Sequence, residues 1–246
     1  MQEVCVVIPC FNEEFRLRGA DFLAFLDTHP AARLCLVDDG SEDGTFTVLD
    51  GLRAKRPDQI LVHRLTRNRG KAEAVRAGVL RVAANDACPI IGYWDADLST
   101  PLDEVDRLLE ALQKNPQLRL VMGSRVKRLG ARIDRRIWRH VMGRTFATCA
   151  SAILGVAVYD SQCGAKLFRR ESAAVFFREP FLTRWLFDLE ILVRLRNEVG
   201  AAAFEMASEV PVARWEEVDG SKLALKEMIN VPLELLKIRE HYNRPK

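Results

Sequence analysis

Asp95 and Asp97 are the residues whose type and spacing most directly invite chemistry in this chain. They follow the apolar run Ile90-Ile91-Gly92-Tyr93-Trp94 and stand two positions apart. Such a run reads as a buried parallel strand, and the carboxyl end of such a strand is where open α/β sheets take ligands. Alternation along a strand sends residues i and i+2 to one side. The pair can therefore offer hard oxygen ligands to Mg²⁺ or Mn²⁺, cations that also accept substrate phosphates and water. From these residues alone a second reading stays open, in which Asp95 to Pro101 is a polar turn capping the next helix.

Other candidate groups sit at the ends of other apolar runs. Asp38-Asp39-Gly40-Ser41 follows Leu34 to Val37. With Asp50 in twelfth place from Asp39 it imitates a calcium EF-hand loop, but an EF-hand needs a helix before the loop and this segment is strand-like. Carboxylates at a strand end suit the donors of a base or ribose. Gly70-Lys71 is not a P-loop, because Ala72 replaces Ser/Thr and Leu65 stands in the first glycine position. No G-x-G-x-x-G follows a strand, which disfavours a dinucleotide oxidoreductase. Asp95-x-Asp97-x-Ser99 is similar to the nucleophile loop of haloacid dehalogenase-type phosphatases, though there the pair usually ends the first strand.

Between Arg125 and Arg144 eight arginines and lysines meet one acid, Asp134. Arg132, Arg136, Arg139/His140 and Arg144 fall at helical intervals and form one stripe. Guanidinium forks suit phosphate oxygens, and aromatic residues interleave too sparsely for an RNA stacking platform. Asp160 to Phe168 reads as a polar connection, a glycine and a strand, while Asp188 and Glu190 fit the amino end of a helix, where the helix dipole favours acids.

The elements that must position these groups alternate regularly. Strands are expected at Val4 to Pro9, Leu34 to Val37, Ile60 to Leu65, Ile90 to Trp94 and Leu118 to Met122, with helices between them. Asp43 is expected to cap the second helix, and Thr100-Pro101 to open the one after the Asp pair. This order implies an α/β fold with a mostly parallel sheet and helices on both faces. The second half is less regular: a basic helix from about Arg136 to Leu154, a strand at Ala165 to Phe168, and helices at about Leu186 to Glu198 and Lys222 to Glu240. Pro232 falls inside the last helix and is expected to kink it. No linker interrupts the chain, so residues 1–246 read as one domain, with a first half (1–123) that is a nucleotide-fold candidate on architecture alone and a second half (124–246) ending in an amphipathic helix.

Composition narrows the class. The chain is 48% hydrophobic and 29% charged with a net charge of +3, which excludes a global nucleic-acid signature. Its six cysteines include no C-x₂-C pair, so reduced thiols in a cytosolic compartment are expected rather than zinc or disulfides. No basic-then-apolar leader opens the sequence, and no apolar run reaches the ~20 residues of a membrane span. Any membrane contact is expected to be peripheral, on the cytoplasmic face. The last helix has an apolar face, including Leu225, Met228, Ile229, Leu235 and Leu236, that fits the core, a second copy, a small membrane partner or a bilayer interface.

In order, Val6-Val7-Ile8-Pro9-Cys10-Phe11-Asn12-Glu13, Val37-Asp38-Asp39-Gly40-Ser41, Asn68-Arg69-Gly70-Lys71, Asp95-Ala96-Asp97 and Gly123-Ser124-Arg125 resemble the inverting family 2 glycosyltransferases of GT-A fold, of the dolichyl- or polyprenyl-phosphate sugar synthase type. Gln162-Cys163-Gly164-Ala165-Lys166-Leu167-Phe168 and Phe187-Asp188-Leu189-Glu190 look most like the dolichyl-phosphate glucosyltransferase branch. The resemblance implies a metal-dependent hexosyl transfer from a nucleotide sugar, UDP-glucose favoured over GDP-mannose, to a lipid phosphate. It implies that Pro9, Phe11 and Glu13 line the nucleoside pocket, that Asp39 meets the base and Lys71 the donor, and that Asp95 and Asp97 hold Mg²⁺ or Mn²⁺. Arg125 is then expected at the diphosphate or acceptor phosphate, with Arg136, Arg139 and Gln162 on the acceptor phosphate. A soluble or protein hydroxyl acceptor would instead need a base, for which Asp188 and Glu190 are the candidates. Ser99 stands where mannose-transferring relatives often carry a metal-coordinating Gln. Relatives of the glucosyl branch often have an N-terminal membrane helix or C-terminal spans, and neither is read in this sequence.

Overall fold

The period-2 patterning of the first strand already sorts the molecule into two cores. In the computed structural model β1 (Val4–Cys10) sends Val4, Val6 and Ile8 to one face of the sheet and Cys5 and Val7 to the other. The structure describes residues 3–85, 88–134, 146–152, 155, 158–218 and 225–242, with main chain alone for 225–230.

The remaining strands are β2 (Ala32–Asp38), β3 (Ile60–Arg64), β4 (Ile90–Trp94), β5 (Leu120–Ser124), β6 (Arg132–Asp134), β7 (Ala165–Arg169), β8 (Ala207–Pro211) and β9 (Arg214–Glu216). Seven of them form one sheet in the order β3-β2-β1-β4-β7-β5-β8, while β6 and β9 pair separately. One face is covered by α1 (Gly19–Thr28), α2 (Thr45–Lys55) and α4 (Val105–Lys114), whose Phe22, Leu49 and Leu108 join the first core. The other is covered by α3 (Lys71–Asn85), α6 (Ala173–Phe177), α7 (Phe187–Val199) and α9 (Leu225–Tyr242), through Val75, Phe176, Leu189 and Leu235 among others. Residues 146–152 form α5 and Ala203–Met206 form α8. No helix among the described residues is long and apolar enough to cross a membrane.

The expected alternation and the mostly parallel sheet are present. β1 pairs in parallel with β2 and β4, β2 with β3, and β5 with β8. β7 runs the other way, between β4 and β5, so the second half of the chain completes the sheet of the first. β8, β6 and β9 were not anticipated: they are short and polar, and their pairing is set by tertiary contacts rather than by an alternating pattern.

The segment after β4 also differs from expectation. Pro101 is extended (φ −58°, ψ 146°) and precedes a 3₁₀ turn at Leu102–Glu104, so α4 begins only at Val105 and without a side-chain cap. Glu104 is 3% exposed and accepts the Ala213 and Arg214 amides at 3.1 Å, fastening β9 to the start of α4. Pro232 lies inside α9, as expected.

Candidate active site

Parallel strands β1, β2, β3 and β4 all point their carboxyl ends to one edge, and there the sequence supplies its polar loops. The β1 and β2 loops are laced together: the Asn12 amide donates to Ser41 Oγ at 3.0 Å, the Glu13 amide to Thr45 Oγ1 at 2.7 Å, and the Gly44 amide to Glu14 Oε2 at 2.9 Å. Asp43 Oδ1 accepts the Thr45 amide at 3.0 Å, but the N-cap position of α2 is Gly44 and carries no side-chain cap, so Asp43 steadies the turn before the helix rather than capping it as expected. Gly40 sits at φ +67°, and an added Cβ would lie 2.4 Å from the Arg67 main chain, so only glycine lets the two loops approach. Pro9 and Phe11 are half-buried beside these loops and Glu13 is buried.

Asp39 is 2% exposed, and its two oxygens accept the Arg69 and Gly70 amides, each at 2.8 Å. Burial raises its pKa above the ordinary carboxylate value, against the pull of those two amides and of Arg184. The carboxylate expected to read a base thus holds in place the loop that opens α3. Arg184, which the sequence did not single out, reaches the same loop and donates to Asn68 Oδ1 at 3.0 Å. An open cleft of about 560 Å³ runs past Gly40, Ser41, Arg64, Thr66 and Asn68.

The Asp pair lies at the mouth of β4. The Asp95 amide donates to Gly164 O at 2.9 Å, and a Cβ on Gly164 would fall 2.0 Å from Asp95 Oδ2. The glycine of Gln162-Cys163-Gly164 therefore makes room for the first carboxylate. Asp97 Oδ1 accepts the Ser99 amide at 2.9 Å across a tight turn in which Leu98 takes φ +52°. The polar-turn reading thus describes part of the segment: the Asp95 carbonyl closes the turn by accepting the Leu98 amide at 3.2 Å, while the Asp95 carboxylate faces away from it to Lys71.

Lys71 Nζ lies 2.5 Å from Asp95 Oδ1. Burial presses hardest against the charge of both groups, but the combined pull of their partners outweighs it: Lys71, Lys166 and Arg125 together lower Asp95, and Asp95, Asp188 and Asp97 together raise Lys71. Asp97 is raised, by burial first and by the charge of Asp95 second. Two half-buried carboxylates facing one ammonium leave surplus negative charge, and a divalent cation fits that surplus. Among the described residues no set of three His, Cys, Asp or Glu gathers, so Asp95 and Asp97 would leave further positions to water and substrate oxygens, as Mg²⁺ and Mn²⁺ accept. Ser99 ties the pair to its surroundings instead: its amide donates to Asp97 Oδ1 and its carbonyl accepts the Glu216 amide of β9 at 2.9 Å.

Arg125 leaves β5 and forms a bidentate pair with Asp160, Nε–Oδ2 at 2.7 Å and Nη2–Oδ1 at 2.6 Å, while its amide also donates to Oδ2 at 2.9 Å. Its guanidinium stands 5.6 Å from the centre of the Trp215 ring. Asp160 in turn is held through the Tyr159 and Asp160 amides, which both donate to Glu209 at 2.7 Å. Arg125 is therefore a neutralised, oriented fork rather than a bare cation. Beside it the buried Ser124 Oγ and Ser161 Oγ, and the Nε2 of half-buried Gln162, have no hydrogen-bond partner among the described residues.

Asp188 and Glu190 do not stand as free bases. Asp188 is 4% exposed; Lys166 Nζ lies 2.6 Å away and Tyr93 donates its hydroxyl to the same oxygen. Lys166 is itself fully buried and donates to Cys163 O at 2.6 Å. Glu190 is fully buried and accepts the Leu182 and Thr183 amides and the Thr183 hydroxyl at 3.0 Å, and the Tyr242 hydroxyl at 3.1 Å. This carboxylate anchors the loop before α7. Arg136 and Arg139 lie outside the described residues, as do His140 and Arg144. The sequence missed Asp160, Lys166, Arg184 and Glu209; of these, Asp160 and Lys166 were legible only as flanks of Gln162-Cys163-Gly164.

Comparison with known proteins agrees with this geometry. The family described as Glycosyl transferase family 2 matches residues 5–180. The chain is 32% identical over 235 residues to a dolichyl-phosphate beta-glucosyltransferase of Drosophila melanogaster, covering 90% of this chain and 69% of that protein. It is 30% identical over 259 residues to the dolichyl-phosphate beta-glucosyltransferase of Saccharomyces cerevisiae, covering 96% and 74%. Among solved structures, glucosyl-3-phosphoglycerate synthase from Mycobacterium tuberculosis, in complex with Mn²⁺, UDP and phosphoglyceric acid, superposes with a TM-score of 0.70 at 18% identity, covering 100% of this chain and 80% of the other. Mannosyl-3-phosphoglycerate synthase from Rubrobacter xylanophilus gives 0.70 at 17% identity, covering 99% and 74%. With its carboxylate pair at the mouth of a mostly parallel sheet, this chain belongs to glycosyl transferase family 2 and is a glycosyltransferase of GT-A fold.

Proposed function

We propose that the chain transfers glucose from UDP-glucose to the phosphate of a dolichyl or related polyprenyl lipid. The observation that carries the acceptor class is the enclosure of Asp188 and Glu190, at 4% and 0% exposure. A hydroxyl acceptor needs a group to remove its proton. A phosphomonoester brings its own nucleophile, since its second pKa is near ~6 and its oxygen is largely ionised at neutral pH. Positioning then suffices. The names of the relatives, dolichyl-phosphate beta-glucosyltransferases, support the same substrates.

In this reading Asp95 and Asp97 hold Mg²⁺ or Mn²⁺, which when bound neutralises charge on the departing nucleoside diphosphate. The chain's own residues do the rest. The laced loops around Glu13 and Asp39 set the walls of the nucleoside pocket, with Pro9 and Phe11 beside them. Lys71, freed from Asp95, supplies a second positive charge to the diphosphate. Arg125, fixed by Asp160, presents its edge to the acceptor phosphate, and Ser124, Ser161 and Gln162 offer it neutral donors. Arg136 and Arg139 would extend that cradle. The six free thiols suit a reducing compartment, which supports a reaction on the cytoplasmic face.

Thermal-shift titration with UDP, GDP, UDP-glucose and GDP-mannose, each with Mn²⁺ or EDTA, tests the donor. Ligand at a hundredfold excess over its dissociation constant stabilises a fold by ~2.7 kcal/mol. Stabilisation by UDP and UDP-glucose that disappears in EDTA is expected, followed by glucosylation of a polyprenyl phosphate. Preference for the guanine nucleotides would overturn the donor, and transfer only to hydroxyl acceptors would overturn the acceptor.

A further inference from the structure

Six large apolar side chains stand exposed among the described residues, and three of them gather at one edge. Phe15 (93% exposed) and Leu129 (101%) lie on the loops leaving the carboxyl ends of β1 and β5. β1, β4 and β5 run in one direction, β5 through two antiparallel steps across β7, so these loops flank the mouth that holds Asp95 and Asp97. The two strands are three spacings apart, about 14 Å. Leu182 (44%) belongs to the loop that Arg184 ties to Asn68, beyond β3 on the same edge. Each apolar tip has cations next to it in the chain: Arg16 and Arg18, Lys127 and Arg128, and Arg184. Arg16 and Arg18 are paired with Glu13 and Asp21, so the attraction for anions is concentrated at Lys127 and Arg128.

Single exposed apolar residues need no explanation. Three around one polar mouth, interleaved with cations, match the chemistry of a lipid headgroup boundary, where apolar tips enter and cations meet phosphates. We propose that this edge of the sheet docks on an anionic bilayer, with Leu129, Phe15 and Leu182 as its anchors. The inference rests on the lipid-phosphate reading: a polyprenyl tail stays in the bilayer, so its phosphate reaches Asp95 and Asp97 only if their mouth faces the membrane. The exposed Leu233 (60%) and Leu236 (43%) of α9 offer the rival surface.

The test is co-sedimentation with phosphatidylcholine vesicles containing phosphatidylglycerol, using the wild type, Leu129→Glu, Leu182→Glu and Leu233→Ser, with UDP binding to verify the fold. Each loop variant is expected to weaken partitioning roughly tenfold, the scale for returning a large apolar side chain to water. Added salt should weaken the wild type, and Leu233→Ser should change nothing. Leu129→Glu should still use a short, water-soluble isoprenyl phosphate while losing the vesicle-embedded long-chain acceptor. Unaltered partitioning of the loop variants, a loss confined to Leu233→Ser, or no vesicle binding by the wild type would overturn the docking edge. Wild-type binding that depends on the loops, without turnover of either acceptor, would uphold the edge and overturn the acceptor reading.

Discussion

The two ends of the site use their carboxylates in opposite ways. Beside β1 and β2, Asp38, Asp39 and Asp43 accept main-chain amides, and so shape loops. Beside β4, β5 and α7, Asp95, Asp160 and Asp188 face Lys71, Arg125 and Lys166. The first arrangement builds a rigid wall whose charge is spent on main-chain hydrogen bonds and, at Asp38, on an ion pair with Arg64 at 3.1 Å. The second stores paired charges: the partly exposed Lys71–Asp95 pair and the Arg125–Asp160 pair can exchange partners with an entering cation or phosphate, while Lys166–Asp188 is closed off behind them. The nucleoside end is thus a mould, and the transfer end a set of counter-ions awaiting substrate.

The sharpest way to test that contrast is at the transfer end. Asp97→Asn should lower turnover by roughly 10²–10³-fold, the scale for losing one preorganised charge interaction, with circular dichroism unchanged. Full activity in excess Mn²⁺ would remove Asp97 from the metal site. Asp160→Ala strands Arg125, whose side chain is 13% exposed, and breaking such a pair costs about 3–5 kcal/mol in urea denaturation. Arg125→Ala with Asp160→Ala should recover part of that loss, because no unpaired charge remains. Gly164→Ala places a methyl against Asp95; about 1–3 kcal/mol of overpacking strain and weaker Mn²⁺ binding by calorimetry are expected.

At the nucleoside end the effects should be smaller. Asp39→Asn keeps an oxygen for only one of the Arg69 and Gly70 amides, so about 1 kcal/mol of stability and some nucleotide affinity should be lost. Turnover at saturating donor should hardly change; a collapse there would erase the distinction between mould and counter-ions. The smallest effect concerns thiols. Burial pushes Cys163 up to about 11, so raising the pH from neutral towards 9 should not expose its thiolate to alkylation. Mass spectrometry should find Cys149 modified, since it is exposed while the other five are buried.

The same contrast separates what the sequence reveals from what it hides. Asp39-Gly40-Ser41 and Asp43 act within a few residues or across neighbouring parallel strands, and their types announce turns. Asp95 and Asp97 were legible because an apolar strand delivers them to the sheet edge. Asp188 and Glu190 were legible as acids at a helix start, yet their function depends on what encloses them. Lys166 approaches Asp188 across 22 positions, and Glu209 reaches the Tyr159 amide across 50; no local periodicity encodes such pairings.

By itself the sequence determined the alternating elements, the two-faced sheet and the carboxylate pair at its mouth, because the periodicities of 2 and 3.6 and the residues that end strands are local properties. Only the tertiary structure decided that β7 runs antiparallel between β4 and β5, that Arg125 is neutralised by Asp160, and that Asp188 and Glu190 are closed off. These are outcomes of packing between distant segments, where burial and partner geometry, not residue type, fix what a charge can do.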